Sequence, residues 1–205
     1  RRVSAAIGYL DPQTRSRENL RIESEIQVKE ILFEGTKAVG VIAVQHGQEH
    51  TFKANEVILC SGAIHSPAML LRSGIGPVGH LHDMGIEVRL ERAGVGQNLM
   101  EHAAAAMSAW MQPDARLNDL TRRHIHLGWR YSSNMHHAPA GDMFAAVVAK
   151  SAWHAVGDRL GSMLAWVNKT YSTGQLTLTS SDWRVEPMVE FNMLSDARDL
   201  DRLMD

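Results

Sequence analysis

The run Gly62-Ala63-Ile64-His65-Ser66-Pro67-Ala68-Met69-Leu70-Leu71-Arg72-Ser73-Gly74-Ile75-Gly76 follows Glu56-Val57-Ile58-Leu59-Cys60 with only Ser61 between, and its reading decides the fold. Val57 to Cys60 is continuously apolar, which predicts a strand in a sheet covered on both faces. Ser61, Gly62 and Ala63 are small, so the end of that strand can approach a ligand or another stretch of backbone closely. Ser66 reads as a helix N-cap and Pro67 as the first helical residue, where its missing N–H costs nothing. Met69, Leu70 and Leu71 form an apolar turn that Gly74 and Gly76 bring to a stop. A strand, a small-residue corner and a short helix leave backbone N–H groups free at the corner. On the residues alone, the corner suits tight packing of strand on helix as well as it suits the wall of a ligand site at a strand's C-terminal end.

Upstream, Ala5, Ala6 and Ile7 read as a helix end. Asp11-Pro12 then opens a turn, and the polar run to Arg17 reads as a loop. Apolar residues alternate at Leu20 and Ile22, at Ile26 and Val28, and at Ile31 and Phe33; the phase slips at Glu30, which predicts a bulge or a strand break. Glu34-Gly35-Thr36-Lys37 and His46-Gly47-Gln48-Glu49 are turn sequences, with Val39, Val41 and Ala43 alternating between them and a short strand over 51–53 beyond. This is a β-meander feeding the strand at 57–60.

Downstream, a helix from Pro77 to Met84 ends at Gly85, and Ile86, Val88 and Leu90 alternate. The character changes near residue 103, where Ala103 to Ala106 opens a region holding Trp110, Trp129, Trp153 and Trp166. Strands are expected at 143–149, 162–169, 175–180 and 186–191. Ser195 reads as the cap of a closing helix in which Leu200, Leu203 and Met204 share a face. The fold class expected is α/β, α+β in part, with a domain boundary between Glu101 and Gln112.

At 205 residues and 44% hydrophobic content, the chain is able to bury on the order of 70% of its unfolded surface as one compact unit. A net charge of -2 argues against nucleic acid as a partner. The short basic clusters Arg1-Arg2 and Arg122-Arg123 read as solvated surface. No stretch approaches the roughly 20 apolar residues of a membrane span. Cys60 has no second cysteine to pair with, which fits a reducing compartment and favours the cytoplasm. In an apolar strand it reads as an inert core thiol. His124 with His126, and His136 with His137, have spacings that would suit a metal. No Cys or acidic cluster accompanies them, so no metal site is expected. The tryptophans read as core or interface, and the absence of a G-x-S-x-G elbow removes a serine hydrolase from consideration.

The whole string G-A-x-x-S-P-x-[aliphatic]₂-x-x-S-G-I-G resembles the second signature of the glucose–methanol–choline (GMC) oxidoreductases, flavoenzymes that oxidise alcohols. Pro77-Val78-Gly79-His80-Leu81, Gly85-Ile86 and Gly94-Val95-Gly96-Gln97-Asn98-Leu99 with Glu101-His102 resemble the family's P-x-x-H-L…G-I…G-V-G-x-N-L-x-D-H run, with Glu101 in place of Asp. Asn192-Met193-Leu194-Ser195-Asp196 resembles the segment leading to its Y-L-S-x-P-x-D turn, with Met193 in the aromatic position and Ala197 in the proline position. The likeness is weakest between 103 and 170.

The resemblance implies part of an FAD-binding domain over 1–106 and part of a mostly antiparallel substrate-binding domain over 107–205. FAD is the implied cofactor: the Val28 main chain meets its adenine edge, and Ser61 and Gly62 pass close to the nucleotide. His102 is expected to fix the domain junction, and the later sheet to lie over the flavin's reactive face. No G-x-G-x-x-G follows a strand, so the chain reads as a middle piece whose partners are the rest of the parent polypeptide and an alcohol substrate. The family's active-site histidine is expected C-terminal to this chain, so no catalytic residue is expected within it, and the isolated chain is not expected to retain FAD. Alternatives are a flavin-containing hydroxynitrile lyase of the same family, a non-catalytic binding or structural fragment, and a separate all-β binding module.

Overall fold

The structure, a computed structural model, describes residues 3–118, 125–152 and 154–205. Arg1, Arg2, Arg122, Arg123, His124 and Trp153 lie outside the described residues, as does the side chain of His126. The chain forms two compact units, Arg1–Leu59 and Cys60–Asp205. The boundary expected at 106/107 lies inside the second unit.

The first unit opens with α1 (Ala5–Tyr9), capped by the Ser4 hydroxyl, and α2 (Pro12–Arg15), capped by the Asp11 carboxylate, which accepts the Thr14 N–H at 2.6 Å. The polar run read as a loop thus holds a helical turn, because Asp-Pro is also a strong helix start. The meander follows as β1 (Gln27–Glu34), β2 (Lys37–Gln45) and β3 (Gln48–Lys53), antiparallel in the order β1-β2-β3. The register jumps between Val28↔Ala43 and Glu30↔Ile42, so the phase slip is a bulge. Leu20 and Ile22 belong to no strand. Gln27 already pairs with Val44, one residue from the end of β2, so the residues before it have no ladder to join.

Residues 56–60 depart furthest from expectation. They are unpaired rather than a buried strand; Ile58 is 79% exposed and the Cys60 thiol is exposed, not a core group. An apolar run becomes a covered strand only where flanking strands supply its hydrogen bonds, and among the described residues none pairs with it.

The second unit begins with α3 (Gly62–Arg72), then β4 (Ile75–Gly76), α4 (Val78–Asp83) and β5 (Leu90–Glu91), with β4 and β5 parallel. Next come β6 (Gln97–Leu99) and β7 (Ala104–Trp110), then β8 (Ile125–Tyr131), β9 (Met143–Val148) and β10 (Leu160–Val167). Last are β11 (Gly174–Thr177), β12 (Met188–Glu190) and α5 (Ala197–Met204). Four strands form an antiparallel sheet in the order β7-β10-β9-β8, and three more a second one in the order β12-β11-β6. Ile86 and Val88 are packed against the core without being in a strand.

The core lies where α3 meets α4 and β11. Ala68 and Leu71 from α3 share a face and pack with Leu81, Leu176 and Leu178. Each buried leucine contributes on the order of 1.5–3 kcal/mol. β11 is tied to the loop before β6: the Leu176 N–H donates to the Gly96 carbonyl at 2.6 Å. Gly96 sits at φ +82, and a Cβ there would overlap the Leu176 carbonyl oxygen. Only glycine allows that approach.

The closing helix reverses its expected polarity. Its N-cap is Asp196 rather than Ser195, and the side chains it buries are Asp199 and Arg202, while Leu200 and Met204 are exposed. Every nitrogen of the Arg202 guanidinium donates: Nε to the Arg198 carbonyl, Nη1 to Asp142 at 3.2 Å and to the Lys169 carbonyl at 3.0 Å, and Nη2 to Asp199. Asp142 also accepts the Ser133 N–H and hydroxyl, each at 2.9 Å, and Asp199 accepts the Tyr171 and Ser172 N–H groups. Burial alone would raise both carboxyls; the bonds from Ser133 and Arg202 outweigh it at Asp142, and those from Ser172, Tyr171 and Arg202 at Asp199, so both stand below the ordinary value of 3.8. Polar groups therefore face inward because they satisfy loop backbone that apolar side chains would leave orphaned.

Three outcomes are expected. Arg202→Leu strands two buried carboxylates and lowers the urea-unfolding free energy of the second unit by about 3–5 kcal/mol. In the unchanged protein both carboxyls titrate lower when folded than when unfolded. Their contribution is thus complete above the ordinary carboxyl range and is lost as pH falls through the folded values, a slope that Asp199→Asn flattens in unfolding curves taken from neutral pH to about pH 2.5. Gly96→Ala destabilises by more than about 1 kcal/mol, whereas Gly79→Ala, with open space at its Cβ, is neutral or stabilising by up to ~1 kcal/mol; equal effects at the two positions would rule out the close approach at Gly96 as their cause.

Candidate functional site

The corner after Cys60 is built differently from its sequence reading. The helix starts at Gly62 with Ser61 as N-cap, so Pro67 lies inside it rather than at its first position. Ser66 still serves the N-terminus: its hydroxyl accepts the Ser61 N–H at 3.0 Å, a cap reaching back from within the helix. Pro67 has no N–H, which leaves the Ala63 carbonyl without its usual intrahelical donor. The other end follows expectation. Ser73 donates its hydroxyl to the Met69 carbonyl at 2.8 Å, and Gly74 at φ +82 donates to the Leu71 carbonyl.

Gly62 sits at φ +83 with open space at the position of a Cβ. Tight packing of strand on helix therefore does not account for this glycine; its left-handed backbone does. Ser61 is exposed beside it. Val28 belongs to the first unit, at the start of the edge strand β1 next to the bulge, with its side chain 38% exposed. An edge strand keeps one row of backbone donors and acceptors unpaired, which is what a main-chain contact to a ligand requires.

Folding brings the two halves of the sequence motif to one groove. Ala63, Ser66 and Pro67 from α3 face Gly94, Asn98 and Met100 across a space of about 450 Å³ floored by Leu176. Among the described residues, no ionisable side chain lines it. Such a groove holds a ligand by backbone groups and apolar contact and offers no acid or base. On the other side of β6, Gln97, Asn98, Gln175, Glu190 and Asn192 line a polar recess of about 400 Å³. The sequence reading assigned these amides no role. Its available signal was asparagine at the turn positions: Asn98 and Asn192 take φ +58 and +51, the left-handed region this residue tolerates.

The other marked residues are placed as follows. His102 is exposed, and its backbone N–H donates to the Glu101 carboxylate at 2.7 Å. His136 and His137 stand edge to face, ring centroids 3.6 Å apart. Trp166 stacks on Phe144 at 4.7 Å, while Trp110 and Trp129 are exposed on the four-stranded sheet. Across that sheet Met107, Met163, Val147 and Leu127 pair in one continuous row and are all exposed, Met107 by 71%. No helix among the described residues is long and apolar enough to cross a membrane.

The GMC oxidoreductase family model matches residues 1–104. The 5-(hydroxymethyl)furfural oxidase of Methylovorus sp. (strain MP688) is 42% identical over 206 residues, an alignment covering 98% of this chain and 38% of that protein. Human mitochondrial choline dehydrogenase is 50% identical over 103 residues, covering 50% of this chain and 17% of that protein. The fold is similar to that of pyridoxine 4-oxidase from Mesorbium loti, with a TM-score of 0.84 at 22% identity, over 99% of this chain and 41% of that one. The chain thus spans about two fifths of the length of the furfural oxidase and of the pyridoxine oxidase. With half of its residues matched, among them α3 and the loop that faces it, the chain belongs to the GMC oxidoreductase family.

Proposed function

We propose that this chain is part of an FAD-dependent enzyme that oxidises the CH–OH group of a small-molecule alcohol. The observation that supports this best is the groove between α3 and Gly94–Met100, lined almost wholly by residues inside the family match. Its size falls within the roughly 300–1,000 Å³ of ligand sites, and its lining of backbone and apolar groups suits a nucleotide held without charge pairing. Val28 offers its N–H and C=O from an edge strand to the adenine, and Ser61 and Gly62 let the nucleotide pass close to the start of α3. Bound FAD supplies the hydride acceptor, the flavin N5. The chain's own part is binding and orientation, with the base for the hydroxyl proton assigned to a residue outside it.

The substrate reading follows from the four-stranded sheet, which the family resemblance sets over the flavin's reactive face. Strands β7 to β10 contain no Asp or Glu, and the exposed row from Met107 to Leu127 is apolar. A quaternary ammonium alcohol would lose its hydration there without a carboxylate to replace it. A neutral, apolar alcohol fits, as in the relative named for 5-(hydroxymethyl)furfural.

In the enzyme that contains this chain, Val28→Ala is expected to leave flavin affinity within about twofold, because the contact is main-chain. Gly62→Val lowers it at least ~tenfold, since a branched residue is strained at positive φ. Flavin fluorescence titration measures both, and no flavin binding by the unchanged enzyme would sink the reading. With neutral aromatic alcohols kcat/KM exceeds that for choline by about 30-fold or more, the scale of one uncompensated charge; a preference for choline would overturn the substrate class.

A further inference from the structure

β11 leaves its ladder at Thr177, yet Leu178, the next residue, is 3% exposed and carries a backbone N–H that no neighbouring strand receives. That donor is taken by a side chain: the Leu178 N–H donates to Nε2 of His80, on α4, at 3.0 Å. An imidazole nitrogen accepts only through its lone pair, so Nε2 is unprotonated and the proton of the neutral ring is on Nδ1. The next residue along α4, Leu81, is fully buried in the core that also holds Leu176 and Leu178. The chain is therefore gripped at two points two residues apart, within β11 at Leu176 by the Gly96 carbonyl and just past its end at Leu178 by His80. Leu176 floors the groove, and Gly96 to Leu99 form its wall.

We propose that His80 is a positioning residue: as a fixed acceptor it holds β11 against α4 and thereby sets the seat of the Gly96–Leu99 wall opposite α3. Its relevance to flavin rests on the function proposed above, but its effect on the wall does not. Without the imidazole the Leu178 N–H is a buried donor with no partner, and a strand freed at that point loosens at its neighbouring contact. A carboxamide oxygen reaching as far as Nε2 does the same work, so glutamine replaces histidine where leucine cannot.

The test uses the 205-residue chain itself. Nitrogen NMR of His80 is expected to show the Nδ1-protonated tautomer. In His80→Leu, amide exchange quickens about tenfold or more at Leu178 and also at Leu176, the scale of one lost buried hydrogen bond, and His80→Gln restores protection at both. An Nε2-protonated ring in the unchanged protein overturns the proposal, even if the leucine variant does not fold. So does exchange at Leu176 that ignores the substitution, which would confine His80 to its own bond. Flavin titration of the enzyme containing the chain is read separately: absent flavin binding refutes the proposed function while leaving the exchange pattern in place.

Discussion

The hydrogen bond from the Leu176 N–H to the Gly96 carbonyl is the contact on which the candidate site depends. It exists because residue 96 has no side chain and a backbone in the left-handed region, so β11 lies directly against the loop. Leu176 points into the core beside Leu71 and Leu81, and its backbone at the same time fixes the wall that faces α3. Core and groove are thus two sides of one strand. Packing that holds the helix in place also determines how far the groove opens.

A second constraint acts at the far end of the unit. Arg202, Asp142 and Asp199 take the place that an apolar helix face would ordinarily occupy. Burying three charges is costly, and it succeeds here because each also satisfies backbone or hydroxyl groups of connecting segments: Ser133 before β9, Lys169, Tyr171 and Ser172 after β10. The arrangement clamps irregular segments to α5. It leaves Leu200 and Met204 turned outward, the opposite of what their spacing implies.

Regular features were legible in the residues. The meander, its bulge near Glu30 and the glycine stop of α3 follow from local pattern and turn chemistry, which act between neighbours in sequence. The unpaired, exposed course of 57–60 was not, because apolarity marks a capacity for burial and only ladder partners convert it into a strand. The start of α3 lies five residues before the expected one, since Ser66 caps from inside the helix and its sequence context is the same as that of an ordinary N-cap. At the site, the motif marked α3 and Gly94–Leu99, but it gave the amides of the polar recess no role and carried no sign of the bond made by His80, whose partner is distant in sequence.

Family membership was legible in the order of residues alone, because glycine, proline and serine constrain backbone wherever they stand. Which donors meet which acceptors was decided by the tertiary structure. His80 finds Leu178 across 98 positions and Arg202 finds Asp142 across 60, and no local preference encodes such pairings. They are set where a packed core leaves a buried polar group that must be satisfied, and that need arises only once the chain has folded.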